Sequence, residues 1–279
     1  MTIEIGVVGS GFVGGAVIKA FSNTNPIHVY DLGKGIGSLE DVVSKSEIIF
    51  LCLPSPQAKD GGCDGSIVAK VIWEIAQLAS NKELVVKSTL PPKFFESVQR
   101  LHMNNDILYM PEFLTARCAD LDFINSSRFI IGAGQKMRAR AIVEAAGGFK
   151  TYKLFRSRFP GAPIKIMSWE EASLVKYVTN CFFVTKVAFF NEVYDVCNKL
   201  EIDYEVVVGE VLNDGRIARS HYQVPGPDGQ RGFGGACFPK DSSAFVQIAE
   251  SLGAGADVVK AARKVNDRVR PSGEAPTAE

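Results

Sequence analysis

The sequence has no excess charge of either sign. Its 279 residues carry 31 Lys+Arg against 31 Asp+Glu, a formal net charge of +0. A protein that neutralises phosphates along a strand needs a basic surface, so composition gives no support for a nucleic-acid partner. No apolar run reaches the roughly 18–20 residues of a membrane span, and Met1–Gly6 lacks the basic n-region and cleavage site of a signal peptide. The 6 cysteines never fall in Cys-x-x-Cys spacing, which argues against a disulfide framework and against a zinc site. These absences predict a cytoplasmic protein with reduced thiols, no bound metal and no nucleic-acid or membrane partner. What remains is ordinary for a soluble globular chain, with 46% hydrophobic and 22% charged residues. The length suits one large or two modest domains.

The first half alternates strand and helix signals. Ile3–Val8 is a short apolar run ending at Gly9, followed by a helical stretch over residues 11–21 and a second strand at Ile27–Tyr30. Further strands read at 47–53, 83–87, 107–109 and 128–131, with a helix over 67–78. Repeated β-α-β units with short connections predict a doubly wound parallel sheet of Rossmann type, assigned to residues 1–167. The second half changes character. Ser168-Trp169-Glu170-Glu171 is a capping box, and the chain beyond it reads as one long apolar helix to about Leu200. Asp203 is expected to cap the next helix. Residues 213–235, rich in Gly, Pro and Asp, read as a loop, with helices near 242–252 and 256–269. This predicts an α/β chain whose helical second domain, 168–270, is built on one long central helix. The tail 271–279 is expected to be disordered.

Gly9-Ser10-Gly11-Phe12-Val13-Gly14 is a G-x-G-x-x-G run between a strand and a helix, and Asp31 ends the second strand about 20 positions later. Gly9 permits the tight turn, Gly11 lets backbone approach a pyrophosphate, and Gly14 allows close helix–sheet packing. The helix N-terminus offers unpaired N–H groups to phosphate. Asp31 can accept from both ribose hydroxyls and would repel a 2′-phosphate, which predicts NAD, with Lys34 as the feature that admits NADP. Pro54, Ser55, Ser88, Thr89 and Glu112 stand at other strand ends, where open α/β sheets bind ligands. Taken singly, Thr89 can equally be a turn hydroxyl; Glu112, after a Pro at a strand end, is more suggestive of a site, with a helix cap as the alternative.

The richest segment is Gly232-Phe233-Gly234-Gly235-Ala236-Cys237-Phe238-Pro239-Lys240-Asp241. Its glycines let backbone wrap a ligand. Cys237, ahead of a helix and near Lys240, is placed to act as a thiolate nucleophile; the alternative is a small buried cysteine, the reading given to Cys52, Cys181 and Cys197. On the long helix Lys176 and Asn180 share a face, with Asn191 further along it. That pair can stabilise an oxyanion, or can be a snorkelling lysine beside a structural asparagine.

Gly9–Gly14, Ser88-Thr89-Leu90-Pro91-Pro92, Pro111-Glu112-Phe113-Leu114, the Lys176/Asn180 helix and Gly232–Asp241 occur in the order seen in the UDP-glucose/GDP-mannose dehydrogenase family, which the chain resembles over nearly its whole length. The resemblance implies four-electron oxidation of a nucleotide-sugar C6 alcohol, UDP-glucose foremost, to the uronate with NAD. In that scheme Cys237 carries a thiohemiacetal and then a thioester. Lys176 and Asn180 contact the sugar and the oxyanion, and Glu112, Thr89 and Asp241 handle protons and the hydrolytic water. Lys240 supports the cysteine and cofactor region. Phe113, Leu114, Gly232, Phe233 and Gly234 line the substrate, and Arg216 looks like the arginine that reaches a neighbouring subunit's substrate. Three departures stand out: the chain ends before the family's third domain, Ala116 replaces a second Glu, and Ala218 replaces a Gly. A two-electron β-hydroxyacid-type dehydrogenase and an impaired NAD- or nucleotide-sugar-binding protein are the alternatives. The apolar length of the central helix predicts a homodimer formed through it.

Overall fold

The computed structural model describes residues 2–98, 104–135, 138 and 148–270. The expected disorder of the tail from residue 271 concerns residues outside that set. The chain forms two compact units, Met1–Pro56 with Asp64–Lys176, and Gln57–Cys63 with Tyr177–Glu279.

In the first unit the strands are β1 (Ile5–Val8), β2 (Ile27–Tyr30), β3 (Ile48–Leu51), β4 (Glu83–Val86), β5 (Asp106–Tyr109), β6 (Phe129–Ala133) and β7 (Ile164–Ser168). They form one sheet in the order β2-β1-β3-β4-β5-β6-β7. The order reverses between β1 and β3, the switch point at which doubly wound sheets open a ligand crevice. β1, β3, β4 and most of β5 are buried, which is why their sequences run apolar without alternation. The helices between them are α1 (Phe12–Phe21), α2 (Leu39–Lys45), α3 (Ser66–Leu78), α4 (Phe94–Val98), α5 (Ala119–Ile124) and α6 (Lys150–Arg158). α2, α6 and β7 give weak signals in the sequence: α2 is seven residues long, α6 is mostly polar and basic, and β7 alternates Ile-Lys-Ile in a half-buried edge.

The expectation of a fully parallel sheet needs correction. β5 and β6 pair antiparallel, Leu108 opposite Ala133 and Tyr109 opposite Gly132. The connection between them holds a three-residue 3-10 turn at Ala116–Cys118 and one six-residue α-helix, the latter about 9 Å of rise. That is too short to carry the chain back along the sheet, so β6 re-enters from the edge at which β5 leaves. Parallel pairing resumes between β6 and β7.

One face of this sheet is packed by phenylalanine. Phe21, Phe50, Phe123, Phe129, Phe155 and Phe159 belong to a single buried cluster. Their rings meet mainly edge-on or tilted, Phe21 with Phe155 at 5.4 Å and Phe129 with Phe155 at 4.8 Å, the geometry aromatic quadrupoles prefer. Glu83 ties α6 to this frame. Its carboxylate, 6% exposed, accepts from Lys150 N–H, Thr151 N–H and Thr151 Oγ1, each at 2.7 Å. Phe149 at the helix N-cap has no capping side chain of its own, so a strand carboxylate satisfies the orphan donors. Glu83→Ala is expected to destabilise the fold by about 2–4 kcal/mol, because it strands buried donors. A urea titration with an unchanged midpoint would refute this.

The capping box forms as read, with Ser168 N–H on Glu171 Oε2 at 2.6 Å and Glu171 N–H on Ser168 Oγ at 3.1 Å. It opens α7 (Trp169–Lys199), 31 residues long, whose first turns, to Lys176, belong to the first unit. The second unit takes the rest of α7 with α8 (Tyr204–Val211), α9 (Phe238–Ser251) and α10 (Asp257–Val269). Asp203 caps α8 through Glu205 N–H at 2.8 Å, as the sequence predicts. Phe190, Cys197, Tyr204, Val208 and Leu212 form one small core, and Val184, Ala188, Phe233 and Ala262 another. α9 starts at Phe238, earlier than the expected 242: Pro239 sits in its first turn, where no N–H is needed and the fixed φ suits a helix. Among the described residues no helix is long and apolar enough to cross a membrane.

Candidate active site

At the carboxyl end of β1 the Gly-rich turn is held by backbone. Gly9 has φ +89 and its amide donates to Tyr30 O at 2.8 Å. Any Cβ there would lie 2.4 Å from the Cys52 carbonyl oxygen, and one at Gly14 would lie 1.9 Å from the Gly9 carbonyl oxygen. A Cβ at Gly11 would meet no atom within 4 Å. The turn is therefore closed beneath and open at the position read as the pyrophosphate approach. Phe12 is exposed, Val13 half-buried and Gly14 buried in α1. Asp31 Oδ2 accepts from Ser10 N–H and Ser10 Oγ, both at 2.7 Å. The Ser10 hydroxyl, then its amide, holds the Asp31 carboxyl below the ordinary carboxylate range, so it stays an acceptor at neutral pH. Asp31 Oδ1 takes Lys34 N–H at 3.1 Å, and Lys34 Nζ lies on Ser10 O at 2.6 Å. The residues fit NAD: open space over Gly11, and an ionised carboxylate where a 2′-phosphate would have to sit. Ser88 stitches β3 to β4 by donating to Leu53 O at 2.7 Å and accepting from Leu53 N–H at 3.2 Å. Thr89 is buried beside it, Pro54 is exposed and Ser55 half-buried.

Glu112, past the end of β5, is buried, with Oε2 accepting from Leu114 N–H at 2.6 Å. Its Oε1 meets Lys176 Nζ at 3.2 Å, and that ammonium lies 5.5 Å from the Phe113 ring centroid. Glu112, Phe113, Leu114 and Lys176 are thus gathered in the first unit. Burying such a pair costs desolvation on both charges, so the arrangement is not a generic surface ion pair. The sequence reading passes over Lys87, which ends an apolar strand run and is also buried here. Burial pushes its pKa down to about 8. The one available signal is a lysine closing Glu83-Leu84-Val85-Val86 directly before Ser-Thr, easily taken for a strand end in solvent.

In the second unit Cys237 is the N-cap residue of α9, and its carbonyl accepts from Asp241 N–H at 2.8 Å. Asp241 is fully buried; it accepts from Asn180 Nδ2 at 2.6 Å through Oδ2 and from Lys240 Nζ at 2.6 Å through Oδ1. Arg263, also passed over in the sequence, pins the same helical turn by donating at 2.8 Å to both Pro239 O and Ser242 Oγ. The glycine segment is clamped by two buried asparagines. Asn191 Oδ1 accepts from Gly232 N–H and Arg231 Nε at 3.2 Å, and Asn266 Oδ1 from Phe233 N–H at 2.6 Å. Asn191 thus holds loop backbone. Gly234 lies against the Arg270 guanidinium. Arg216 is exposed and turned onto Asp214 at 2.5 Å. Burial pushes the thiols of Cys52 and Cys181 up to about 12, and Cys197 is buried. Cys52 and Cys181 are therefore protonated at neutral pH.

Residues 35–146 match the UDP-glucose/GDP-mannose dehydrogenase family, NAD binding domain, and residues 170–268 match the central domain of the same family. NAD is therefore the cofactor of the first unit. The chain is 31% identical over 242 residues to UDP-glucose 6-dehydrogenase TuaD of Bacillus subtilis (strain 168), covering 83% of this chain and 49% of that protein. It is similar to the structure of a UDP-glucose dehydrogenase from Pyrobaculum islandicum, with TM-score 0.81 and 27% identity over 96% of this chain and 68% of that one. A Mycobacterium tuberculosis 3-hydroxyisobutyrate dehydrogenase shares the fold, at TM-score 0.71 and 15% identity over 96% and 94% of the two chains. The chain spans about half the length of the curated relatives it matches.

Proposed function

Because this chain belongs to the UDP-glucose/GDP-mannose dehydrogenase family, we propose that it oxidises the C6 alcohol of a nucleotide sugar, UDP-glucose, to the carboxylate with NAD. The observation that carries the reading is Cys237 at the head of α9, with a clamped glycine segment before it and the buried Asn180–Asp241–Lys240 cluster behind it. A two-electron oxidation has no use for such a cysteine. An acid formed without releasing aldehyde does.

Gly9, Ser10, Gly11, Phe12, Val13, Gly14 and Asp31 hold the dinucleotide, with Pro54, Ser55, Ser88, Thr89 and Lys240 at its reactive end. Bound NAD supplies a hydride acceptor. Glu112 and Thr89, through water, take the alcohol proton as hydride leaves C6, giving the aldehyde. Cys237 Sγ then bonds to that carbon, its proton passing to the carbonyl oxygen, and the product is a thiohemiacetal. Lys176 and Asn180 donate to this oxygen as it gains charge. Once the NADH formed has been exchanged for a second NAD as hydride acceptor, loss of the hydroxyl proton and a second hydride leaves the thioester. Water oriented by Asp241 adds to the thioester carbon, the C–S bond breaks, sulfur leaves as thiolate, and the carboxylate forms. Phe113, Leu114, Gly232, Phe233 and Gly234 shape the sugar pocket. Arg216, exposed on its loop, reaches a neighbouring subunit's substrate.

The test is NADH formed per sugar consumed, across UDP- and GDP-sugars. Two NADH per UDP-glucose supports the reading. One NADH per turnover on a smaller hydroxyacid, or NAD binding without any turnover, overturns it.

The same proposal includes a homodimer through α7. Phe182, Phe189 and Val196 are 63%, 57% and 56% exposed, and their spacing of seven puts them on one stripe. A second copy would bury it. Phe189→Asp is expected to convert a dimer at micromolar concentration into a monomer by light scattering. A wild-type protein already monomeric there would remove the claim.

A further inference from the structure

The chain enters Cys237 through Gly232-Phe233-Gly234-Gly235-Ala236. Gly232 and Gly235 stand at φ +71 and +74, the left-handed region that glycine enters at no steric cost. That freedom is also a liability. A glycine segment has little conformational preference of its own, and none of these residues belongs to a helix or strand. Whatever fixes the segment must come from side chains packed against it. Phe233 supplies an apolar anchor, buried with Val184, Ala188 and Ala262, but an anchored ring leaves the peptide planes beside it free to turn.

The polar constraint comes chiefly from α10. Asn266 Oδ1 accepts from Phe233 N–H at 2.6 Å, and the same oxygen fills the space that a Cβ at Gly232 would need. One atom therefore satisfies a buried backbone donor and reserves position 232 for glycine. Arg270 follows one turn later, at the end of α10. Its guanidinium lies against Gly234, where a Cβ would stand 2.5 Å from Cζ and 2.9 Å from Nε, and its Nη1 pairs with Asp228 Oδ2 at 2.8 Å. Asn191 on α7 takes Gly232 N–H at a longer 3.2 Å and shares its oxygen with Arg231. The bond to Asn266 is the shortest that any of these side chains makes to the segment's backbone.

A buried asparagine that accepts from a backbone amide can be packing alone. Here the sequence that follows gives it more consequence. Cys237 is half-buried and heads α9. On its helical side it is fixed by Asp241 N–H on its own carbonyl, and by Arg263 on Pro239 O. On its other side it is joined only to the glycine segment. A reacting atom displaced by about 1 Å can lose on the order of 10²-fold in rate, so both sides must be held. We propose that Asn266 is a positioning residue for Cys237: by holding the Gly232–Phe233 peptide it sets the direction from which the chain enters α9, and with it where Sγ stands. The catalytic consequence rests on the dehydrogenase reading above; the constraint on the thiol does not.

The experiment is alkylation of the full chain by iodoacetamide, without substrate, with each cysteine followed by peptide mass spectrometry. Asn266→Leu keeps the volume and removes the acceptor, while Asn266→Asp keeps the acceptor. In Asn266→Leu, Cys237 should react about fivefold faster or more, the factor by which one lost hydrogen bond shifts a local opening. In Asn266→Asp its rate should stay within about twofold of wild type. Cys181 and Cys197, buried in the same unit, should react as slowly as in wild type throughout. A purely structural asparagine would leave the Cys237 rate unchanged or raise all three rates together, and either result overturns the proposal. If Asn266→Leu does not fold, Asn266→Ala removes the same acceptor with less bulk. With UDP-glucose, Asn266→Leu should lower kcat by about tenfold to a hundredfold, with NAD affinity within about twofold of wild type, and Asn266→Asp should restore it. Wild-type kcat in a folded Asn266→Leu also overturns the proposal. No turnover in the wild-type protein refutes the dehydrogenase reading instead, and the alkylation rates then decide the positioning on their own.

Discussion

Cys237→Ala is expected to lower NADH formation from UDP-glucose by about 10³-fold or more, with NAD affinity within about twofold of wild type. The size follows from the part the proposed mechanism gives the thiol. Without Sγ the aldehyde has no covalent tether, so the second hydride loss has no thiohemiacetal to act on. The small change in NAD affinity follows from where the residue lies: Cys237 heads α9 in the second unit, while the dinucleotide turn is built from β1, α1 and Asp31 in the first. Stopped-flow NADH fluorescence with an equilibrium NAD titration checks both halves. A variant that still makes two NADH per sugar at the wild-type rate would end the thioester mechanism. A variant that no longer binds NAD would show that the substitution acts through the fold.

Gly14→Ala should cost about 3 kcal/mol or more, a fall in Tm of roughly 6–12 °C for a chain of this size, and should abolish NAD binding. The added methyl would stand 1.9 Å from Gly9 O and 3.0 Å from Gly9 C. Both are backbone atoms of the turn proposed to meet the dinucleotide, so relief requires moving the turn itself. Gly15→Ala is the control one residue away. Its Cβ would meet nothing within 4 Å, and Ala in a helix interior gains up to about 1 kcal/mol over Gly. Calorimetry of the two variants should therefore diverge in sign. Equal destabilisation would mean that α1 responds to any loss of glycine rather than to this one contact.

The contrast between those neighbours shows how much of the site was readable in advance. Gly-x-Gly-x-x-Gly, Asp31 and the capping box at Ser168 are local devices: each depends on residues within a few positions of itself or on one strand end. They form as their spacing predicts. The long α7 was equally legible, because neither Pro nor Gly interrupts it. Cys237 stands ahead of a helix as its neighbours predict, although that helix begins one turn earlier than its apolar pattern suggests, since Pro239 is compatible with a first turn.

What the chain could not announce locally is any interaction between residues far apart in sequence. Glu83 reads as a polar residue opening a strand; its partners, Lys150 and Thr151, are 67 and 68 positions away. Asn266 reads as one polar residue in an amphipathic helix, yet it accepts from Phe233 N–H across 33 positions. Lys87 reads as the last residue of a strand run and is buried, its ammonium 5.6 Å from the ring centroid of Phe123, 36 positions away. The antiparallel turn of β6 belongs here too, for it depends on how far a six-residue helix can carry the chain.

By itself, then, the sequence determined the elements, the glycine turn after β1 and the position of Cys237 at a helix start, because helix caps, strand runs and glycine turns are governed by short-range sterics and hydrogen bonds. Only the tertiary structure decided which polar side chains are buried and which charges they face, because desolvation and Coulomb energy depend on neighbours brought together by folding.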